Sequence, residues 1–162
     1  MSPQLTSDDY TVGWIAALPH EAAAAEAFLD ETHEQPLHYK AGNVNDNNNY
    51  TLGSIKGPTG EHNVVIANLP GGRYGKASAA TVAAHMVSNF PNIKFGLMVG
   101  IGGGIPSVKN DIRLGDIVVS QPEGAFGGVR QYDRGKTNSH GLEECGFLNS
   151  PPTVLLNALS RL

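Results

Sequence analysis

Residues 11–18 (TVGWIAAL) form an almost unbroken apolar run, the pattern of a strand buried on both faces. Pro19 stands where a first helical residue belongs, and HEAAAAEAFLDE continues with high helix propensity, placing Ala25, Phe28 and Leu29 on one face. Residues 32–49 are polar and include the run Asn45-Asp46-Asn47-Asn48-Asn49, which reads as a mobile loop. Residues 50–56 and 62–69 are β-prone stretches joined by Gly57-Pro58-Thr59-Gly60, a hairpin pattern. Beyond Pro70-Gly71-Gly72-Arg73-Tyr74-Gly75 the apolar period changes from two to about 3.6. Val82, Ala83, Met86, Val87 and Phe90 then predict a helix over 76–89, closed by Pro91.

Residues 93–99 read as another buried strand, running directly into Gly100-Ile101-Gly102-Gly103-Gly104. Residues 116–120 (DIVVS) predict a further strand, and residues 128–132 a candidate one. Pro151 and Pro152 precede TVLLNALSRL, a helix whose apolar face is Val154, Leu155, Leu159 and Leu162. A helix of about two turns is marginal unless docked. It fits either a natural C-terminal helix or one piece of a longer domain. The order of elements predicts an α/β protein built on an open sheet, without internal repeats.

Composition narrows the function. The chain of 162 residues is one domain's worth of sequence, with residues 1–9 as a tail and 10–162 as the domain. Its 20 glycines are about 12% of the chain against a usual ~7%, and with no collagen-like period they mark turns and close backbone approaches. Lys and Arg number 11 against 15 Asp and Glu, a net charge of -4. That balance, without any basic run, argues against nucleic acid and membrane surfaces as partners. The single cysteine, Cys145, excludes an intramolecular disulfide framework and a Cys-rich zinc site, and without a local motif it reads as inert. The polar residues 1–10 are no signal peptide, and no apolar stretch approaches the ~18 residues of a membrane span. The expectation is a cytoplasmic protein. The sequon Asn49-Tyr50-Thr51 carries no weight in that setting.

Three features carry candidate chemistry. The glycine loop of residues 100–104 follows a strand, and in open α/β sheets ligands bind outside the C-terminal strand ends. Glycine backbone there can approach a ligand and offer N–H groups to an anion; the plain alternative is a tight turn built from positive-φ residues. A dinucleotide fingerprint is excluded because position 105 is Ile105. The second feature, Gly71 to Ser78, superficially resembles a phosphate loop. Only three residues separate Gly71 from Gly75, and Ala77 stands where a magnesium-binding hydroxyl is required. The helix N-terminus still favours anions, with Gly75, Arg73 and Lys76 beside it; the plain alternative is that the two cations are solvated surface. Third, Glu21 lies on the first turn of its helix at a strand end, placed either to stabilise the helix dipole or to orient water.

The other candidates are weaker. His20, His33, His38, His62, His85 and His140 show no metal-ligand spacing, so no metal and no cofactor is expected. Asp111, Arg113 and Asp116 read as a salt-bridged turn, Trp14 as core, and His85 as a boundary residue of its helix.

The segments YTVGWIAALPHEAAAAEAFLDE, LPGGRYGKASAATVAAHM and FGLMVGIGGGIPSVKNDIRLGDIVVS resemble the purine and uridine phosphorylase superfamily, closest to domains at the N-terminus of fungal ankyrin-repeat and immune-receptor-like proteins. The resemblance covers residues 9–162, and its most specific part is the glycine loop followed by LGDIVVS. It implies a three-layer α/β/α fold with a mixed, twisted sheet, assembled into homo-oligomers. It also implies cleavage of the N-glycosidic bond of a small-molecule nucleoside or nucleotide by phosphate or by water. Glu21 matches the glutamate that positions attacking water in the methylthioadenosine nucleosidases. Gly100, Ile101, Gly102, Gly103 and Gly104 match the loop beside the ribose, and Gly75 and Lys76 open the helix after the second glycine-rich turn. Arg73 with Lys76 would serve a substrate phosphate.

Two departures qualify the likeness. Phosphorylases of the bacterial hexameric kind carry an arginine two residues before the first loop glycine and a serine just after it, where this chain has Met98 and Ile101. Loss of that charge-assisted clamp, at about 1.5–3 kcal/mol per contact, favours hydrolysis over phosphorolysis. Family domains also continue beyond this length, with a glutamate for the ribose hydroxyls and an aspartate that protonates the purine. Neither motif is found here, so the resemblance implies a domain incomplete at its C-terminal side. The alternatives are an inactive phosphorylase-fold scaffold or recognition module that oligomerises, or a diverged enzyme acting on another small molecule in the same cleft.

Overall fold

The apolar run at residues 11–18 supplies an interior strand of a sheet. The computed structural model describes residues 5–36, 45–58, 60–132, 135–139, 141–144 and 148–161. Among them the chain is a mixed α/β protein with one five-stranded mixed sheet, a separate two-stranded sheet and three α-helices. It divides into two units, Met1–Gly103 and Gly104–Leu162.

In the first unit β1 (Val12–Ala16) leads into α1 (Pro19–Ala27), then β2 (Glu31–His33), β3 (Tyr50–Gly57), β4 (Gly60–Asn68), α2 (Lys76–Asn89) and β5 (Phe95–Met98). The strand order is β2-β3-β4-β1-β5. β1 is parallel to both β4 and β5, with Ala16 opposite Asn68 and Ile15 opposite Met98. β2 and β3, and β3 and β4, are antiparallel. Three parallel strands therefore end at one edge of the sheet, and both α1 and α2 begin there.

Strand alternation splits the core in two. Val65 and Ala67 of β4, with Ile15, Tyr50 and Leu52, pack under Val82, Met86 and Phe90 from α2 and its end. Val64 and Ile66, with Val12, pack under Ala25 of α1, joined by Trp14, Leu29, Phe95 and Leu97. Each face of the sheet thus carries one helix. Glycine is needed where the layers approach closely. A Cβ on Gly13 would stand 2.8 Å from the Met86 sulfur, and one on Gly53 would press on the Glu31 carbonyl and stand 2.6 Å from Leu29 Cδ1.

The polar stretch before β3 is not simply a loop. Residues 31–33 form β2, paired through Glu31, Thr32 and His33 with Ser54, Gly53 and Leu52. The Tyr10 hydroxyl and His33 Nδ1 are 3.0 Å apart, and that hydroxyl is pushed up to about 12, chiefly by burial and further by the Asp9 charge. Asp46 and Asn48 are buried. The Asp46 carboxyl group accepts from the Asn48 backbone N–H and the Tyr50 hydroxyl, each at 2.8 Å, and from the Asn89 side-chain amide. His85 Nδ1 lies 3.5 Å from it. Asn48 Nδ2 in turn donates to the Tyr50 hydroxyl at 2.8 Å and to the Val82 carbonyl at 3.1 Å. Two of the five residues in the asparagine run, Asp46 and Asn48, therefore form a polar tie between β3 and α2, and His85 belongs to it. Residues 37–44 lie outside the described residues.

The second unit contains a hairpin, β6 (Gly135–Asn138) with β7 (Gly141–Glu144), and the helix α3 (Thr153–Leu159). The strands predicted at residues 116–120 and 128–132 do not form. Ile117, Val118 and Val119 are exposed. Strand propensity is a preference for a pleated, half-buried surface, and among the described residues no strand pairs with this segment to supply one. The Asp111, Arg113 and Asp116 turn does form. Arg113 donates to the Asp111 side chain from its guanidinium and to Asp116 from its backbone N–H at 2.8 Å.

Candidate functional site

Construction of the site begins with an uncapped helix. α1 opens at Leu18, which has extended backbone angles and no side-chain oxygen to serve the free N–H groups of the first turn. Glu21, three residues in, reaches back instead, the carboxylate half of a capping box. Its Oε2 accepts the Ala17 and Leu18 backbone N–H groups, each at 2.9 Å. Oε1 turns the other way and accepts the Ile101 N–H at 2.8 Å, from the loop after β5. One carboxylate therefore joins the end of β1, the start of α1 and the glycine loop.

Proton affinity follows from those contacts. The Ile101 N–H is the largest influence holding the Glu21 carboxyl below its ordinary value of 4.5; burial opposes it, and the Leu18 and Ala17 N–H groups and His20 assist. The folded state therefore releases its proton more readily than the unfolded chain. The resulting stabilisation is complete above the unfolded value and is lost as pH falls through the folded one. The difference in urea midpoint between the wild type and Glu21→Gln is accordingly expected to shrink on going from about pH 5 to about pH 2. A difference that stays constant over that range would show that the charge contributes nothing.

The glycine loop proves unlike a tight turn. None of Gly100, Gly102, Gly103 and Gly104 has a positive φ, so backbone conformation does not demand them. Gly100 has a different reason, since a Cβ there would stand 2.8 Å from Glu21 Oε1. Around Gly102 and Gly103 a Cβ would meet nothing within 4 Å, and Ile101 is 77% exposed. Gly104 opens the second unit, where its Cβ would meet Ile112.

Arg73, Gly75 and Lys76 follow β4 at the same sheet edge. Pro70 to Arg73 form a turn closed by the Arg73 N–H on the Pro70 carbonyl at 2.9 Å, with Gly72 at φ 74. Gly75 caps α2 at φ 101 and ψ 177, a combination essentially reserved for glycine. No side chain caps this helix. The α1 start is thus occupied by the protein's own carboxylate, whereas the α2 start has Gly75 at its cap position, without a side chain, beside the exposed Arg73.

The structure brings Glu21, Gly100 and Ile101 into contact and sets Arg73, Gly75 and Lys76 on the neighbouring strand's end. The Ala17 and Leu18 amides were not among the sequence candidates, because a backbone donor leaves no residue-type signal. Pro19 followed by Glu21 at the third helical position was the available cue. Trp14 packs against the α1-side cluster as expected, although its indole N–H is buried without an acceptor among the described residues. His38, His140 and Cys145 lie outside the described residues. Among the described residues no group of three or more His, Cys, Asp or Glu is placed to hold a metal, and no helix is long and apolar enough to cross a membrane.

No known family profile and no solved structure matches the chain. Over 160 residues it is 54% identical to a nucleotide-binding leucine-rich repeat (NLR)-like protein of Hyaloscypha variabilis, a match that takes in 99% of this chain and 15% of that protein. The chain spans only that small share of its relative's length. The relative fits the likeness to fungal immune-receptor-like proteins drawn from the sequence.

Proposed function

We propose that this chain is a purine nucleosidase-like domain of the three-layer phosphorylase fold, one that cleaves the N-glycosidic bond of a nucleoside or nucleotide with water. The observation that carries the reading is the Glu21 carboxylate, held at the sheet edge against the Ile101 N–H of the glycine loop. A carboxylate can accept about four hydrogen bonds. Three are taken by backbone N–H groups, which leaves one position on Oε1 for a water or a ribose hydroxyl.

The same arrangement disfavours phosphate as the attacking group. An incoming dianion would meet an ionised carboxylate where it needs a donor, and the Ile101 amide is already engaged. Met98 and Ile101 supply neither the guanidinium nor the hydroxyl of the phosphorylase clamp. A phosphate carried by the substrate has a separate place, at the start of α2 beside Arg73 and Lys76, where Gly75 contributes no capping side chain. The NLR-like relative supports such a domain serving as one module of a large receptor-like protein.

The test is base release by chromatography from adenosine, inosine, methylthioadenosine, AMP and ATP, with and without inorganic phosphate. Equal release in both conditions is the expected result, and release that requires phosphate overturns hydrolysis. The base-protonating and ribose-binding motifs are missing from these 162 residues, so the assay is repeated on a chain completed with that segment of a related enzyme. No release from either chain would sink the nucleosidase reading. A recognition module without activity is the second reading. It is favoured by the same Glu21, whose three backbone contacts are sufficient reason for its presence.

A further inference from the structure

We propose that Glu21 is a positioning residue, whose carboxylate pins the glycine loop after β5 to the β1–α1 junction and acts on a substrate through the backbone of Ile101. The inference deepens the nucleosidase reading, and only its kinetic arm rests on that reading.

Helix capping alone does not account for the geometry. Oε2 by itself satisfies Ala17 and Leu18, while Oε1 serves a segment 80 residues away in sequence. The loop has little else to define it. The Val99 N–H bonds the Ile15 carbonyl at 3.1 Å, and beyond it residues 99–106 have no regular structure. The hydrogen bond to Glu21 is the next tie along the chain among the described residues. Gly100 completes the fit, because any side chain there would displace the carboxylate. An acid held below its ordinary range is also a weak proton acceptor near neutral pH, which suits a group that orders structure better than one that removes a proton.

Three substitutions separate pin from cap. Glu21→Gln keeps one carbonyl oxygen, so its amide nitrogen must face either the junction or the Ile101 N–H, and two donors cannot pair. Glu21→Asp keeps the charge but is shorter by one methylene and cannot span both sides. Gly100→Ala leaves Glu21 chemically intact and pushes its carboxylate off the loop.

The experiment is amide hydrogen exchange by NMR on the folded chain, following Ile101, with Val65 and Ile66 in β4 as controls for global folding. Protection of the Ile101 amide is expected to fall at least tenfold in all three variants while the controls hold. Unchanged Ile101 protection in Glu21→Asp and Gly100→Ala overturns the pin, whatever the activity. In the kinetic arm, kcat is expected to fall in the same rank order as protection, at least tenfold in Gly100→Ala, with KM changing less. Full kcat in Gly100→Ala with lost protection overturns positioning. Lost protection where neither this chain nor the completed one cleaves a nucleoside leaves the pin standing and removes the nucleosidase reading alone.

Discussion

Replacing Phe90 with alanine is expected to lower stability by about 3–5 kcal/mol, the usual cost of truncating a buried aromatic side chain. Phe90 closes α2 and is fully buried. Its ring meets Tyr10 edge-on at 5.5 Å between centroids and Tyr50 at 5.3 Å, so its removal leaves a cavity bounded by two rings and the end of a helix. The neighbouring elements are fixed by strand pairing, which limits how far they can collapse into it. Urea denaturation followed by circular dichroism measures the effect. Phe90→Leu should lose markedly less, since it refills part of the volume. A loss under about 1 kcal/mol for the alanine variant would mean that the end of α2 is not packed as described.

Asp46→Ala is the second large effect, expected at about 3 kcal/mol or more. Its carboxyl side chain is wholly buried and gathers the Asn48 N–H, the Tyr50 hydroxyl and the Asn89 amide. Removing a buried acceptor costs roughly 1–3 kcal/mol for each donor that finds no replacement. Burial holds the Tyr50 hydroxyl well above its ordinary range, Asn48 opposing and Asp46 reinforcing the shift. That proton therefore stays in place as a donor up to strongly alkaline pH. Asp46→Asn retains one oxygen and should lose less. A urea midpoint for Asp46→Ala indistinguishable from the wild type would show that water replaces the carboxyl group, and the tie between β3 and α2 would then be dispensable.

The parts of the fold that were legible in sequence are those whose pattern and partner coincide. The period of Val82, Met86 and Phe90 predicted α2 over the residues it occupies, and the runs around residues 57–60 predicted the β3–β4 hairpin. β2 was invisible because Glu-Thr-His has no apolar alternation; register against β3 and the Tyr10–His33 contact hold it. Asp46 and Asn48 misled for the opposite reason, since polar residues signal exposure unless their hydrogen bonds are made elsewhere. Residues 116–120 have strand composition without a strand beside them, and propensity alone did not form one. In the site, Glu21 and the glycines were visible as residue types. Their contact was not, because it runs from a side chain to a backbone amide 80 positions away.

The placement of β1 has a consequence for synthesis. Among the strands described here β1 is made before β4 and β5, which flank it, so Val12 waits for Val64 and then for Phe95. At roughly 5–20 residues per second that interval lasts several seconds. Until β4 emerges this apolar, β-prone segment has neither neighbour available, and until β5 emerges one of its edges stays unpaired. An unpaired strand edge is a template for pairing with another chain, so β1 is exposed to such pairing until the fifth strand has been made.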